Sequence, residues 1–171
     1  CRSFHAPAGA DEGQEVKEKT MILYYIRHGD PIYNPNQLTP LGERQAEAVA
    51  KRLAVHGIDK IYSSPSNRAR QTAQPLCEIT KQEPIILDWT DEDLLYRDLA
   101  KMDTDGLRHW CWRHSTCRLD LNREDVRKLG RQWYTHPLFA DTDFGKGIER
   151  MQQEVDAFLA GLGYRHDLEN N

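Results

Sequence analysis

The sequence predicts an α/β fold built on a mostly parallel sheet. Short apolar runs recur at residues 21–26, 58–63 and 84–87. Two stretches with apolar residues at helical spacing separate these runs. Turn-forming residues stand at the junctions. Strand, helix, strand, helix, strand in that order favours parallel pairing with crossover helices.

Each element has a local reason. Met21-Ile22-Leu23-Tyr24-Tyr25-Ile26 is continuous enough to read as a buried strand rather than a half-exposed one. The loop after it holds Asp30, Pro31, Asn34, Pro35 and Asn36, all turn formers. Thr39-Pro40 supplies an N-cap and a proline at the first helical position. The helix carries Ala46, Val49, Ala50 and Leu53 on one stripe, and Gly57 is its stop. A second strand spans 58–63, and Ser64-Pro65-Ser66 turns the chain into a helix with Ala69, Thr72, Ala73, Leu76 and Ile79. Pro84-Ile85-Ile86-Leu87 is the third strand. From Asp88 to about Leu121 the periodicity is lost, which predicts an irregular insertion or lid. Asn122 then caps a helix through Val126, Leu129 and Trp133. A last helix is expected from Gly147 to Leu162, with Met151, Val155, Phe158 and Leu159 on one face.

The 171 residues predict one domain spanning 21–171, preceded by a polar, aperiodic extension at 1–20 that reads as disordered. A net charge of −4 argues against a general nucleic-acid binder, which needs a basic face. No run approaches the roughly 20 apolar residues of a membrane span. Cys1, Cys77, Cys111 and Cys117 form no evident disulfide framework, so a cytoplasmic location is expected.

Chemistry concentrates at strand ends. Arg27-His28-Gly29 follows the first strand directly, where α/β sheets place their sites. An arginine there grips phosphate with paired, charge-assisted hydrogen bonds. A histidine ring nitrogen can attack phosphorus. Glycine lets the backbone approach an anion closely. Arg68 falls in the first turn of the helix after the second strand, so a helix N-terminus and two guanidinium groups can share one phosphate. Arg70 is expected on the solvated face of that helix.

With these residues assembled, the chain resembles the histidine phosphatase superfamily, which also contains the cofactor-dependent phosphoglycerate mutases. Three features carry the resemblance: Ile26-Arg27-His28-Gly29 after a strand, Leu38-Thr39-Pro40-Leu41-Gly42 opening a helix, and Ser64-Pro65 with Arg68-Ala69 and Thr72-Ala73. It is close from Met21 to about Thr90 and looser beyond. It implies a three-layer α/β/α sandwich, phosphoglycerate mutase-like, lacking its last strand or strands. It implies a phosphatase acting on a small-molecule phosphate ester through a phosphohistidine on His28, with Arg27, Asn34 and Arg68 binding phosphate and no metal or other cofactor. The family often has threonine where this chain has Pro31, which removes one hydroxyl contact. The proton donor follows the third strand, with Asp88, Asp91, Glu92 and Asp93 as candidates and Glu92 the choice. The alternatives are a phosphoglycerate mutase and a non-catalytic phosphate-binding module.

The family's second histidine follows a later strand. None of His5, His56, His109, His114, His136 and His166 follows an apolar strand, so a chain truncated before that strand is expected. The alternative recruits His109, His114, His136 or His166 from elsewhere. His109, Cys111, His114 and Cys117 have loosely ligand-like spacing but match no standard zinc pattern. Tyr96, Arg97, Trp110 and Arg113 are candidates for shaping substrate choice from the lid.

Overall fold

The computed structural model describes residues 21–164, so the N-terminal extension and His166 lie outside the described residues. Among those residues the fold is mixed α/β, with three two-stranded ladders and six α-helices. The strand pair β1 (Pro31–Ile32) and β2 (Gln37–Leu38) is antiparallel and frames the loop after the Arg27-His28-Gly29 motif. Helix α1 runs Pro40–Ala54. The strand β3 (Tyr62–Ser63), helix α2 (Asn67–Thr80) and strand β4 (Ile85–Ile86) form the expected strand–helix–strand unit. β3 and β4 pair in parallel, with Tyr62 opposite Ile85, so α2 is the crossover that parallel strands require. No described helix is long and apolar enough to cross a membrane.

Two sequence expectations change. Residues 21–26 have no ladder partner among the described residues and are exposed, with Ile22 at 69% and Tyr25 at 95% relative accessibility. An apolar run of this kind is a buried strand only when neighbours satisfy its backbone and cover its faces. The segment 88–121, expected to be irregular, is ordered. It holds a 3₁₀ turn, α3 (Glu92–Leu99), a hairpin of β5 (Ala100–Met102) and β6 (Arg108–Trp110), and α4 (Cys117–Asp120). Asp91 starts α3 by accepting the Asp93 N–H, a side-chain cap that leaves no mark in apolar periodicity. The helix expected from Asn122 is shorter, α5 (Glu124–Lys128), and continues as 3₁₀ turns; α6 spans Phe144–Gly161.

The core has two parts. Ala50, Leu53, Ile61, Leu76 and Cys77 join α1, α2 and the start of the parallel pair. Cys111, Cys117, Val126, Phe139 and Phe144 form a second cluster, with Trp133 and Tyr134 against it. Burial pushes the Cys111 thiol up to about 11. A thiol held protonated in an apolar cluster is inert as a nucleophile or metal ligand. His109 meanwhile pairs with Asp105 at 2.7 Å. Among the described residues no three His, Cys, Asp or Glu side chains are grouped to hold a metal. Buried Asp98 ties α3 to α6, accepting from Arg97 Nε at 2.9 Å and Arg150 Nη2 at 3.0 Å. Burial opposes its ionisation, but those arginine hydrogen bonds hold its carboxyl below the ordinary aspartate range.

The start of α1 presses against the motif loop. A Cβ on Gly29 would lie 2.5 Å from the Gly42 carbonyl oxygen, and one on Gly42 would lie 2.3 Å from that of Asp30. Both obstacles are backbone, so neither can swing aside. Gly42→Ala is therefore expected to destabilise the fold by about 1–3 kcal/mol, the usual cost of overpacking. Chemical denaturation checks it, and unchanged stability would show that the contact yields freely.

Candidate active site

Helix α2 anchors the site. Thr72 Oγ1 accepts the Gly29 N–H at 3.1 Å and donates to the Arg68 carbonyl at 2.8 Å. Gln71 Oε1 accepts the Leu38 N–H at 2.7 Å, which pins β2 to the same helix face. Thr39 Oγ1 caps α1 by accepting the Gly42 N–H at 3.0 Å and also donates to Asp30 Oδ2 at 2.7 Å. The motif loop is thereby held from both sides by side chains of the helices that follow it.

His28 is half-buried, and its Nδ1 lies 2.8 Å from the Gly29 carbonyl oxygen. A carbonyl only accepts, so Nδ1 carries the hydrogen and the neutral ring presents its lone pair at Nε2. The His28 ring meets Tyr33 edge to face at 6.4 Å. The Arg68 guanidinium stands 5.1 Å from the centroid of that same ring. Tyr33 therefore bridges the histidine and the arginine.

Arg68 is 6% exposed although it carries a full charge. Its Nη1 donates to Asn36 Oδ1 at 3.0 Å, and its Nη2 is ion-paired with Glu92 Oε2. Its Nε is buried without a partner. A buried, unsatisfied N–H on a cation costs free energy that an anion would recover. Arg68 and Glu92 line a cavity of about 250 Å³ between Asn36, the start of α2 and the start of α3, with Asp91 and Asp93 also on its wall. Arg70, two residues along, is exposed.

Residues 23–106 match the family model of the histidine phosphatase superfamily (branch 1). The segment that holds Arg27-His28-Gly29, Arg68 and Glu92 is thus similar to the histidine phosphatase superfamily. A putative phosphoserine phosphatase 2 of Hydrogenobacter thermophilus is 26% identical over 153 residues, covering 84% of this chain and 68% of that protein. A probable phosphoglycerate mutase GpmB of Yersinia enterocolitica is 34% identical over 65 residues, covering 33% of this chain and 30% of that protein. Among solved structures, a mycobacterial glucosyl-3-phosphoglycerate phosphatase is 22% identical with a TM-score of 0.44, over 78% of this chain and 64% of that one. The chain thus spans about two thirds of the length of two of these three proteins.

The structure joins Arg68 directly to Glu92 and Asn36, and links it to His28 through the Tyr33 ring that lies between them. Arg27 and Asn34 are exposed and make no hydrogen bond or ion pair among the described residues. The asparagine that touches Arg68 is Asn36, two positions beyond Asn34. Asn36, Tyr33 and Thr72 were not candidates in the sequence; their contacts with Arg68 and the motif loop depend on which way the hairpin folds over α2. The remaining described histidines are engaged locally. His56 stacks on Tyr24, buried His114 contacts the Met102 carbonyl, and His136 caps the 3₁₀ turn Pro137–Phe139.

Proposed function

We propose that the chain is a phosphomonoesterase that works through a phosphohistidine on His28. The observation that carries this reading is Arg68, buried, with an unpartnered Nε and with Glu92 ion-paired to the adjacent Nη2. In the reaction His28 Nε2 attacks phosphorus and the bond to the leaving oxygen breaks. That oxygen takes the electron pair and a proton from Glu92. Arg68, with Arg27 and Asn34 closing over the substrate, stabilises the charge on the non-bridging oxygens. Water then attacks phosphorus and its proton passes to the Glu92 carboxylate; the P–N bond breaks, its electron pair returns to His28 Nε2, and phosphate leaves. No step calls for a metal. The substrate class is a small phosphate ester, and the three-layer sandwich is the architecture we infer for the whole protein.

The ion pair sets the order of events. Glu92 and a substrate phosphate compete for one guanidinium, so phosphate must displace the carboxylate before Glu92 can act as an acid. Glu92→Gln removes the competing charge. Inorganic phosphate is then expected to bind about tenfold tighter. Hydrolysis of an alkyl phosphate is expected to fall about a hundredfold, because its leaving oxygen needs the proton. Calorimetry and steady-state rates check both, and weaker phosphate binding would contradict the competition.

The match to a probable phosphoglycerate mutase supports a second reading, in which the phosphohistidine discharges to an alcohol. Openness favours water as the acceptor, since the Glu92 side chain is 44% exposed. Incubation with p-nitrophenyl phosphate separates the readings. Release of p-nitrophenol with phosphate supports hydrolysis. Transfer between phosphoglycerates supports a mutase, and phosphate binding without turnover supports a binding module.

A further inference from the structure

The phosphate clamp has a holder that the motif does not contain. Arg68 is the second residue of α2, and its backbone N–H is one of the donors that a helix start leaves unpaired. The N-cap residue Ser66 makes no side-chain cap bond. Asn36, 32 positions upstream, supplies it instead: its Oδ1 accepts the Arg68 N–H at 3.2 Å. The same oxygen accepts Arg68 Nη1 at 3.0 Å. The Asn36 carbonyl takes the Asn67 side-chain amide at 2.8 Å, which fixes the asparagine itself. One oxygen thus grips both ends of the arginine, its backbone and its guanidinium.

We propose that Asn36 is a positioning residue for phosphate binding, acting through Arg68; this rests on the phosphatase reading above. The logic is entropic. An arginine on a four-bond stem loses rotamer freedom when it binds an anion, and a guanidinium already held in place loses less. Asn36 occupies Nη1 and, being neutral, leaves the positive charge intact. Glu92 occupies Nη2 as a displaceable anion. The unpartnered Nε and the vacated Nη2 then offer the paired edge that a phosphate accepts.

The test uses inorganic phosphate as the calorimetric probe, with melting temperature measured in parallel on the full chain. Asn36→Ala is expected to weaken phosphate binding about tenfold, the loss of one hydrogen bond to a charged group. Val126→Ala, in the second core cluster, serves as a destabilised control and is expected to bind phosphate as the parent does. Adding Ser66→Asn to Asn36→Ala restores a neutral cap to α2 without a hold on the guanidinium. Melting temperature is then expected to recover while phosphate affinity does not. Unchanged affinity in Asn36→Ala, equal weakening in Val126→Ala, or recovery of affinity with the restored cap would each overturn the proposal. A parent chain that binds no phosphate would instead overturn the phosphatase reading itself.

Discussion

Replacing His28 with alanine is expected to lower phosphomonoester hydrolysis by a factor on the order of 10⁴ or more, because the covalent route closes. Among the described residues no other histidine ring contacts Tyr33 or Arg68. The other described histidines serve as caps, stacking partners or hydrogen-bond partners elsewhere in the fold. The Nδ1 contact to the Gly29 carbonyl sharpens the expectation. Glutamine at position 28 offers an amide but no nucleophilic ring nitrogen, so it is expected to be as inactive as alanine. Both variants are expected to retain phosphate affinity within about threefold, since Arg68 is the proposed holder of the anion. Steady-state rates with p-nitrophenyl phosphate, together with calorimetry, check the split. Retained turnover in either variant would remove His28 from the mechanism.

Loss of Arg68 is the second large effect, and it differs in kind. Arg68→Ala is expected to lower kcat/KM on the order of a thousandfold, because this cation meets the charge that develops on the transferring phosphoryl group. Phosphate binding is expected to fall with it. Truncation also strands Glu92 beside Asp91 and Asp93 with no counter-charge on the cavity wall. Arg68→Lys is not expected to rescue. A lysine is a point charge without the fork that reaches Asn36 and Glu92 at once. A lysine variant with parental affinity would mean that the site needs charge alone. The readout is the pair of KM and phosphate affinity, measured on variants that melt cooperatively.

These two residues stood out as candidates in the sequence for a plain reason. Each sits at a junction, His28 after an apolar run and Arg68 in the first turn of a helix marked by Ser64-Pro65-Ser66. Junction residues are found from local signals alone. The parallel pair β3–β4 and its crossover α2 were legible on the same basis, because alternation of two periodicities is a local pattern. What was not legible depends on contacts distant in sequence. The contact of Asn36 with Arg68 depends on the hairpin β1–β2, whose register places Pro31 opposite Leu38 and brings Asn36 over the start of α2. The run 21–26 states a preference for strand but not what pairs with it. Helix α3 was missed for another reason. Its eight residues interleave four charges with Leu94, Leu95 and Leu99, too few for a clear stripe, and its stability comes from the Asp91 cap and the Asp98–Arg150 tie. That helix carries Glu92, so the least legible element holds the proposed acid.

The central claim is a covalent phosphoryl group on His28, and trapping it is the most direct test. The chain is mixed with p-nitrophenyl phosphate, quenched under alkaline conditions that preserve phosphohistidine, digested and read by mass spectrometry. The account predicts one added phosphoryl group on the peptide containing His28, absent from His28→Ala and accumulating when Glu92 is replaced. Turnover with no labelled His28 peptide, or a label on another residue that persists in His28→Ala, would contradict it.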